Sequence, residues 1–530
     1  MKQKSIFKRK HFFAFLILLV FYAFAVEAQK STVRIFRYDE KWHLNVNDTP
    51  LYIKGVVGST FLEKVKEYGG NSIRTGWKQD QLDKAFQLGL YALVNLPAGA
   101  ERDGMNYDDT AAVRKQKERI LFIVNQTKDH PAVLMWAIGN ELDYIPPLKP
   151  FNPKLWDAIN DVAKAIHAAD PDHPVMTVIG TSLMQKVSDI VRQCPDLDLL
   201  GINSYGDIYE LQNTLLKYGW TKPYVVTEWG PDGYWEVKKT PWGAPYEQTG
   251  LEKKECYENK YFRAIISSAD QCLGSYVFYW AGFKQETTHT WFCMFDQNGL
   301  ESPLVGLMYY LWTGNKKSNQ APVTDSMRIG NKNRFDPTVI EAGSITNARI
   351  YASDPDGDKL RFKWEIRPEA VYASYAGQGE KVPEPIAGLI KAEAEEIFFQ
   401  APYKPGPYRL FCYVYDDMGH FSTANLPFLV APVPRDTVNI GKNNTREQLT
   451  RQKNRHRKNL TEPKYLYADS RLKNRCEAAV RRFFQLPNNT GNIRQQFPDI
   501  WNLTDFCAFA GDTINYRNGS FQFQTITINF

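Results

Sequence analysis

Cysteine is scarce in this chain, with seven in 530 residues: Cys194, Cys256, Cys272, Cys293, Cys412, Cys476 and Cys507. Such a sparse and scattered set excludes a disulfide-built scaffold, and its odd count leaves at least one thiol unpaired. No metal-site spacing appears among the seven, and no glycine-rich phosphate loop follows the first strand, since Gly69-Gly70 belongs to a helix-to-strand connection. Internal repeats are also absent. Long apolar runs are lacking with one exception, Phe12 to Val26, whose 15 residues fall short of the roughly 20 that cross a bilayer. That run follows Lys2, Lys4, Lys8, Arg9 and Lys10 and precedes Glu27-Ala28-Gln29, which reads as a secretory signal peptide over 1–28, cleaved before Gln29. The expectation is a secreted or periplasmic protein with no stable membrane insertion after cleavage; an uncleaved anchor is the other reading of the same run. No cysteine lies near the cleavage point, which argues against a lipid anchor.

What is present points to a large globular protein. A hydrophobic content of 43% over this length supplies one large core and residues for a smaller domain. The formal charge of +6 is unevenly placed: +4 sits in residues 1–28 and +8 in 433–530, leaving −6 for 29–432. An acidic body argues against a polyanionic partner, nucleic acid included. The segment 433–530 is rich in Asn, Arg, Gln and Lys, with a basic patch at Arg451–Lys458, and reads as a disordered tail bearing a solvated charge run.

Residues 29–50 read as a leading β-hairpin. From 51 to 316 strand-like and helix-like stretches alternate. The candidate strands are Tyr52–Val57, Ser72–Thr75, Tyr91–Leu96, Val133–Gly139, Val175–Ile179, Leu199–Asn203, Tyr224–Glu228 and Gly274–Trp280. Helical patterns lie between them, such as Thr60–Tyr68, Gln79–Leu88, Asp109–Lys128, Pro153–Ala168 and Tyr209–Tyr218. Eight strands with intervening helices over about 250 residues predict an α/β fold, a (β/α)8 TIM barrel. Residues 321–432 change to short alternating strands broken by Asp/Gly/Pro turns, which predicts an immunoglobulin-like β-sandwich at the C-terminal side of the barrel.

Two glutamates end apolar runs. Val133-Leu134-Met135-Trp136-Ala137-Ile138-Gly139-Asn140 leads to Glu141, and Tyr224-Val225-Val226-Thr227 leads to Glu228. A carboxylate at the end of a strand built for burial costs several kcal/mol unless something pairs or uses it. In a (β/α)8 barrel the carboxyl ends of the strands carry the active site, and strands four and seven face each other across its mouth. Two carboxyl groups brought to roughly 5 Å there suit retaining glycoside hydrolysis, one as acid/base and one as nucleophile. Taken singly, Glu141 also reads as a helix-start carboxylate after an Asn140 cap, and Glu228 as a structural ion-pair partner of Arg74.

The strands Trp136-Ala137-Ile138-Gly139-Asn140-Glu141 and Thr227-Glu228-Trp229-Gly230 resemble the two catalytic strands of clan A glycoside hydrolases, especially the TIM barrel domain of glycoside hydrolase family 2. The resemblance covers roughly residues 32–315. It implies Glu141 as acid/base, Glu228 as nucleophile, Arg74 of Asn71-Ser72-Ile73-Arg74 as the electrostatic support of Glu228, and Asn140 as a partner of the sugar 2-hydroxyl. It further implies that Tyr205, after Gly201-Ile202-Asn203-Ser204, orients the nucleophile, and that Trp280, after Tyr276-Val277-Phe278-Tyr279, floors the cleaving subsite. Trp229, His289 and Trp291 are read as cleft-wall residues, with plain loop packing as the alternative. The substrate expected is an oligosaccharide or polysaccharide, with no cofactor and no metal. Family 2 enzymes usually carry two further domains ahead of the barrel, where this chain has the hairpin. The layout is also similar to fungal-type β-1,3-glucanosyltransferases, so a transglycosylase is the nearest alternative and a non-catalytic carbohydrate-binding protein the next. Asp354, Asp356 and Asp358 read as a turn, with calcium as the other possibility.

Overall fold

The computed structural model describes residues 30–144, 150–370 and 380–433, with the backbone of 512–517 and 520–525. The chain begins with β1 (Val33–Tyr38), β2 (Lys41–Val46) and the two-residue β3 (Thr49–Pro50), an antiparallel sheet. Eight parallel strands then close into a barrel: β4 (Ile53–Val57), β5 (Ser72–Thr75), β6 (Tyr91–Leu96), β7 (Val133–Ile138), β8 (Val175–Gly180), β9 (Leu199–Asn203), β10 (Tyr224–Trp229) and β11 (Cys272–Val277). Helices alternate with them, from Leu62–Glu67 to Pro303–Thr313, on the pattern of a TIM barrel. The alternation arises locally. At Thr110–Thr127, Asp109 caps the amino end by accepting bonds from Ala111 N and Ala112 N at 2.9 and 3.1 Å. Thr249 and Glu252 form a reciprocal capping box for Gly250–Lys260.

Strands covered on both faces are nearly continuously apolar, and β7 and β11 are buried throughout. One cluster, including Leu134, Met176 and Val225, fills the barrel interior, and a larger one lies between strands and helices. The leading sheet belongs to the interior cluster through Val33, Leu44 and Val46. Its backbone bonds to the turns that precede β8 and β11, Val33 N to Asp172 O and Trp42 N to Asp270 O, both at 2.8 Å. It therefore seals the amino end of the barrel and leaves the carboxyl end for the site.

Beyond the barrel, a three-stranded sheet of β12 (Val323–Ile329), β14 (Ile345–Ser353) and β16 (Glu396–Gln400) shares a core with a four-stranded sheet. The latter holds β13 (Val339–Glu341), β15 (Arg361–Pro368), β17 (Gly406–Tyr415) and β18 (Phe421–Ala431). The turn at Asp354 is built by its Oδ1 accepting from Asp356 N and Asp358 N at 2.9 and 3.1 Å. Asp356 and Asp358 in turn hold Gln320 N and the Asn319 amide, so these two carboxylates anchor the linker from the barrel.

The expectations for the signal peptide lie outside the described residues. So does most of the tail, apart from an antiparallel pair, Asp512–Arg517 with Ser520–Thr525, which the reading of a disordered tail did not include. No described helix is long and apolar enough to cross a membrane. The last barrel strand stops at Val277 rather than Trp280, and that shift matters for the site.

Candidate active site

The site is built from the carboxyl ends of β5, β7, β9 and β10. Just past β7, Gly139 has φ +70° and Glu141 φ +47°, the left-handed region that a side-chain-bearing residue enters at a cost of about 1–2 kcal/mol. The bend is held by Glu141 N donating to Val178 O at 2.8 Å and by Arg102, whose guanidinium binds the carbonyls of Asn140, Glu141 and Tyr144. Gly139 is required here twice over, by its φ and because a Cβ would lie 2.6 Å from the Leu142 side chain. No helix begins at Asn140 among the described residues, so it is not a helix cap. Its Oδ1 accepts instead from Arg74 at 2.7 Å and from Asn203 at 3.1 Å.

Arg74, with a side chain only 3% exposed, is the hub. Its NH1 donates to Glu228 Oε1 at 2.8 Å and to Thr227 O at 3.2 Å, while its Nε donates to Asn95 Oδ1 at 3.1 Å. Tyr205 OH donates to the other oxygen of Glu228 at 3.1 Å. Asn203 Nδ2 donates to Glu141 Oε1 at 2.9 Å, and its Oδ1 accepts from Thr227 Oγ1 at 2.8 Å. A register shift between Val226 and Glu228, where β10 pairs with β9, turns both Thr227 and Glu228 toward this network. Glu141 and Glu228, 87 positions apart in the chain, are thus joined through Asn203, Asn140 and Arg74.

Electrostatics separates the two carboxyls. Burial raises the proton affinity of Glu141, the charge of Glu228 raises it further, and the Asn203 amide is the main opposing contact. Burial also pushes Glu228 up, but there the Arg74 cation and the Tyr205 hydroxyl oppose it, with the nearby charge of Glu286 acting upward. The cation beside Glu228 favours its ionised form, whereas the main contact opposing burial at Glu141 is a neutral amide. The Glu228 side chain remains 16% exposed, enough for its oxygens to meet a ligand.

Asn203, Asn95, Arg102 and Glu286 belong to this network or adjoin it and were not among the sequence-derived candidates. A neutral amide at a strand end gives no burial conflict to notice, whereas a carboxylate does.

Four expected residues sit elsewhere. Trp280 is fully buried among Phe295 and Trp312, and its indole donates to Phe61 O at 3.2 Å, so it is not a subsite floor. The aromatics that stand beside Tyr205 are Trp235, Phe292 and Phe278, with ring centroids 5.2, 5.7 and 6.3 Å away. Trp229 is likewise fully buried, against Tyr257 and Tyr261, because strand alternation turns it outward where Glu228 points inward. Trp291 lies behind Tyr234, its indole bound to Asp232 O at 3.0 Å. His289 is buried against Phe411 and Tyr413 of β17, with Nε2 2.6 Å from the Tyr413 hydroxyl. Its loop is packed on the second domain; Thr287 N donates to Glu380 Oε2 at 2.8 Å, and Asn425 Nδ2 donates to the buried Glu247, which also accepts from Thr288 and Thr290.

Residues 93–302 match the family model described as the TIM barrel domain of glycosyl hydrolases family 2. A β-glucuronidase of Streptococcus agalactiae is 21% identical over 260 residues, covering 42% of this chain and 40% of that protein. Among solved structures, a Bacteroides uniformis β-glucuronidase aligns with a TM-score of 0.42 at 14% identity, covering 76% of this chain and 48% of the other. A Bifidobacterium dentium β-glucuronidase complexed with coumarin-3-O-glucuronide gives 0.41 at 19% identity, covering 54% and 49%. The chain spans less than half the length of the curated relative it matches.

Proposed function

We propose, taking a barrel of the glycosyl hydrolase family 2 type as the premise, that this protein is a retaining glycoside hydrolase acting on β-linked glycosides by double displacement. The carrying observation is the linked pair of carboxyls, one held beside a guanidinium and a phenol, the other beside a neutral amide. Glu228 attacks the anomeric carbon as its carboxylate, while Glu141 gives its proton to the departing glycosidic oxygen. In the second half Glu141, now ionised, takes a proton from the water that attacks the glycosyl-enzyme. Arg74 keeps Glu228 anionic and Tyr205 fixes which lone pair faces the sugar. Asn140, already oriented by Arg74 and Asn203, is placed to meet the 2-hydroxyl.

The leading basic and apolar run supports a secreted protein, and the contacts of Glu380 and Asn425 support a second domain, an immunoglobulin-like sandwich, that braces the loop after β11. Because the curated relative is a β-glucuronidase, glucuronides are the first substrates to try, beside neutral β-glycosides. Incubation with a panel of 2-deoxy-2-fluoro-β-glycosides, followed by peptide mass spectrometry, tests the assignment: the sugar is expected on Glu228. A label on any other residue, or turnover with inverted anomeric configuration, overturns it.

A further inference from the structure

Behind the Glu141 carboxyl the barrel wall has a notch. The apolar run of β8 gives way at its carboxyl end to Gly180, and a glycine inside a strand marks a place where something else comes close. Here that something is Glu141: a Cβ on residue 180 would lie 3.1 Å from Glu141 Oε1, 3.3 Å from its Cδ and 3.7 Å from its Cγ. The first two distances are shorter than packed carbon atoms ordinarily keep. The carboxyl therefore occupies space that any other residue at this position would fill. Unlike Gly139, Gly180 has no left-handed φ, so its role is steric and an alanine meets no backbone strain there.

Glu141 has little room to give way. Its N donates to Val178 O at 2.8 Å, and Arg102 holds its carbonyl on the other side. Its Oε1 accepts from Asn203 Nδ2 at 2.9 Å, and Asn203 is the cross-strand neighbour of Gly180 in β9. With the backbone pinned, a methyl at position 180 is relieved by moving the carboxyl itself, at the expense of the Asn203 bond. All three atoms nearest the missing methyl belong to Glu141, which leaves Glu228 outside the disturbance.

We propose that Gly180 is a positioning residue for the acid/base: by leaving its Cβ position empty it sets where the Glu141 carboxyl meets the glycosidic oxygen. The inference rests on the glycosidase reading and on the role of Glu141 within it.

The test is Gly180→Ala, assayed on an alkyl β-glycoside and on the dinitrophenyl β-glycoside of the same sugar. Dinitrophenolate departs as an anion without a proton, so formation of the glycosyl-enzyme from it does not call on Glu141. Because a misplacement of about 1 Å costs about a hundredfold, a smaller shift is expected to lower kcat/KM for the alkyl glycoside about tenfold and to leave that for the dinitrophenyl glycoside unchanged. Hydrolysis of the glycosyl-enzyme still needs Glu141 to take a proton from water, so kcat and KM for the dinitrophenyl glycoside should fall together. Azide attacks the anomeric carbon as an anion and expels the Glu228 carboxylate with no proton to remove; it should restore kcat and yield the β-glycosyl azide. In a Glu141→Ala background, Gly180→Ala should change nothing further, since the atoms it presses on are gone.

Equal losses of kcat/KM on both glycosides, unchanged kinetics on both, or an added loss in the double variant each overturn the role. So does a fall in melting temperature that Glu141→Ala fails to relieve, because alanine would then be meeting more than the carboxyl. A wild-type protein that turns over neither glycoside overturns the glycosidase reading itself, and the role of Gly180 falls with it.

Discussion

The two ends of the barrel are made from the same eight strands and differ in almost every physical respect. The amino end is apolar at its centre, with Val33, Leu44 and Val46 inserted beneath the interior cluster and the leading sheet bonded to the turns that enter β8 and β11, and its left-handed residues Asp39, Glu40, Asn47 and Asp48 are confined to exposed hairpin turns. The carboxyl end holds a buried guanidinium, two carboxyls pushed toward protonation and a glutamate in left-handed backbone. Burial of apolar surface at one end offsets what the other loses to desolvation and strain. The contrast teaches that Glu141 is held where it is at the expense of stability, which is the pattern of a working residue.

Substitutions break that contrast in order of size. Glu228→Gln is expected to lower kcat by at least about 10⁴-fold while leaving the circular dichroism spectrum intact, since a nucleophile has no substitute; undiminished turnover would remove it from the role. At the opposite end, Leu44→Ala is expected to cost about 2–4 kcal/mol in denaturant unfolding and to leave kcat/KM unchanged on folded protein. An equal loss of activity there would mean that the ends are not separable. Tyr205→Phe removes one hydrogen bond to Glu228, the proposed nucleophile, and should cost about tenfold in kcat/KM, with little change in melting temperature.

The smallest effect sharpens the comparison most. Folding raises the proton affinity of Glu141, so the native state holds a proton that the unfolded chain has already released. Its contribution to stability is therefore greatest below the ordinary carboxylate range and is lost as pH climbs through the raised value. Glu141→Gln should remove that loss, making the variant more resistant than wild type to heat at neutral pH and no more resistant at low pH. The alkaline limb of the kcat/KM profile should vanish with it, and a limb unchanged in position would assign that titration to another group.

The barrel was legible because most of its parallel strands, covered on both faces, read as nearly continuous apolar runs alternating with helical patterns, and β5, β6 and β9 fall on the predicted bounds. The glutamates were legible because a charge at the end of such a run conflicts with its surroundings. The eighth strand was not, since Tyr276-Val277-Phe278-Tyr279-Trp280 stays apolar past the point where β11 ends, so hydrophobicity marks no boundary there. Trp280 thereby read as the end of the strand and the floor of the subsite, although it packs on Phe295 and Trp312. Trp229, Trp291 and His289 show the same ambiguity, because an aromatic side chain looks alike in sequence whether it faces a helix, a second domain or a cleft. Asn203 and Asn95 left no mark at all, since their meaning comes only from side chains that other strands bring to them, Arg74 for both and Glu141 for Asn203.

Glu380 comes from the second domain, yet it holds the backbone of Thr287, one residue along from the Glu286 whose charge Glu228 feels. A barrel cut free at Lys316 would carry Glu141 and Glu228 and still be an incomplete machine, its rim slack where a neighbour once gripped it. Anyone trimming the protein to a minimal enzyme should keep both lobes, and anyone tuning it could begin far from the sugar, on the face of the sandwich that reaches this rim.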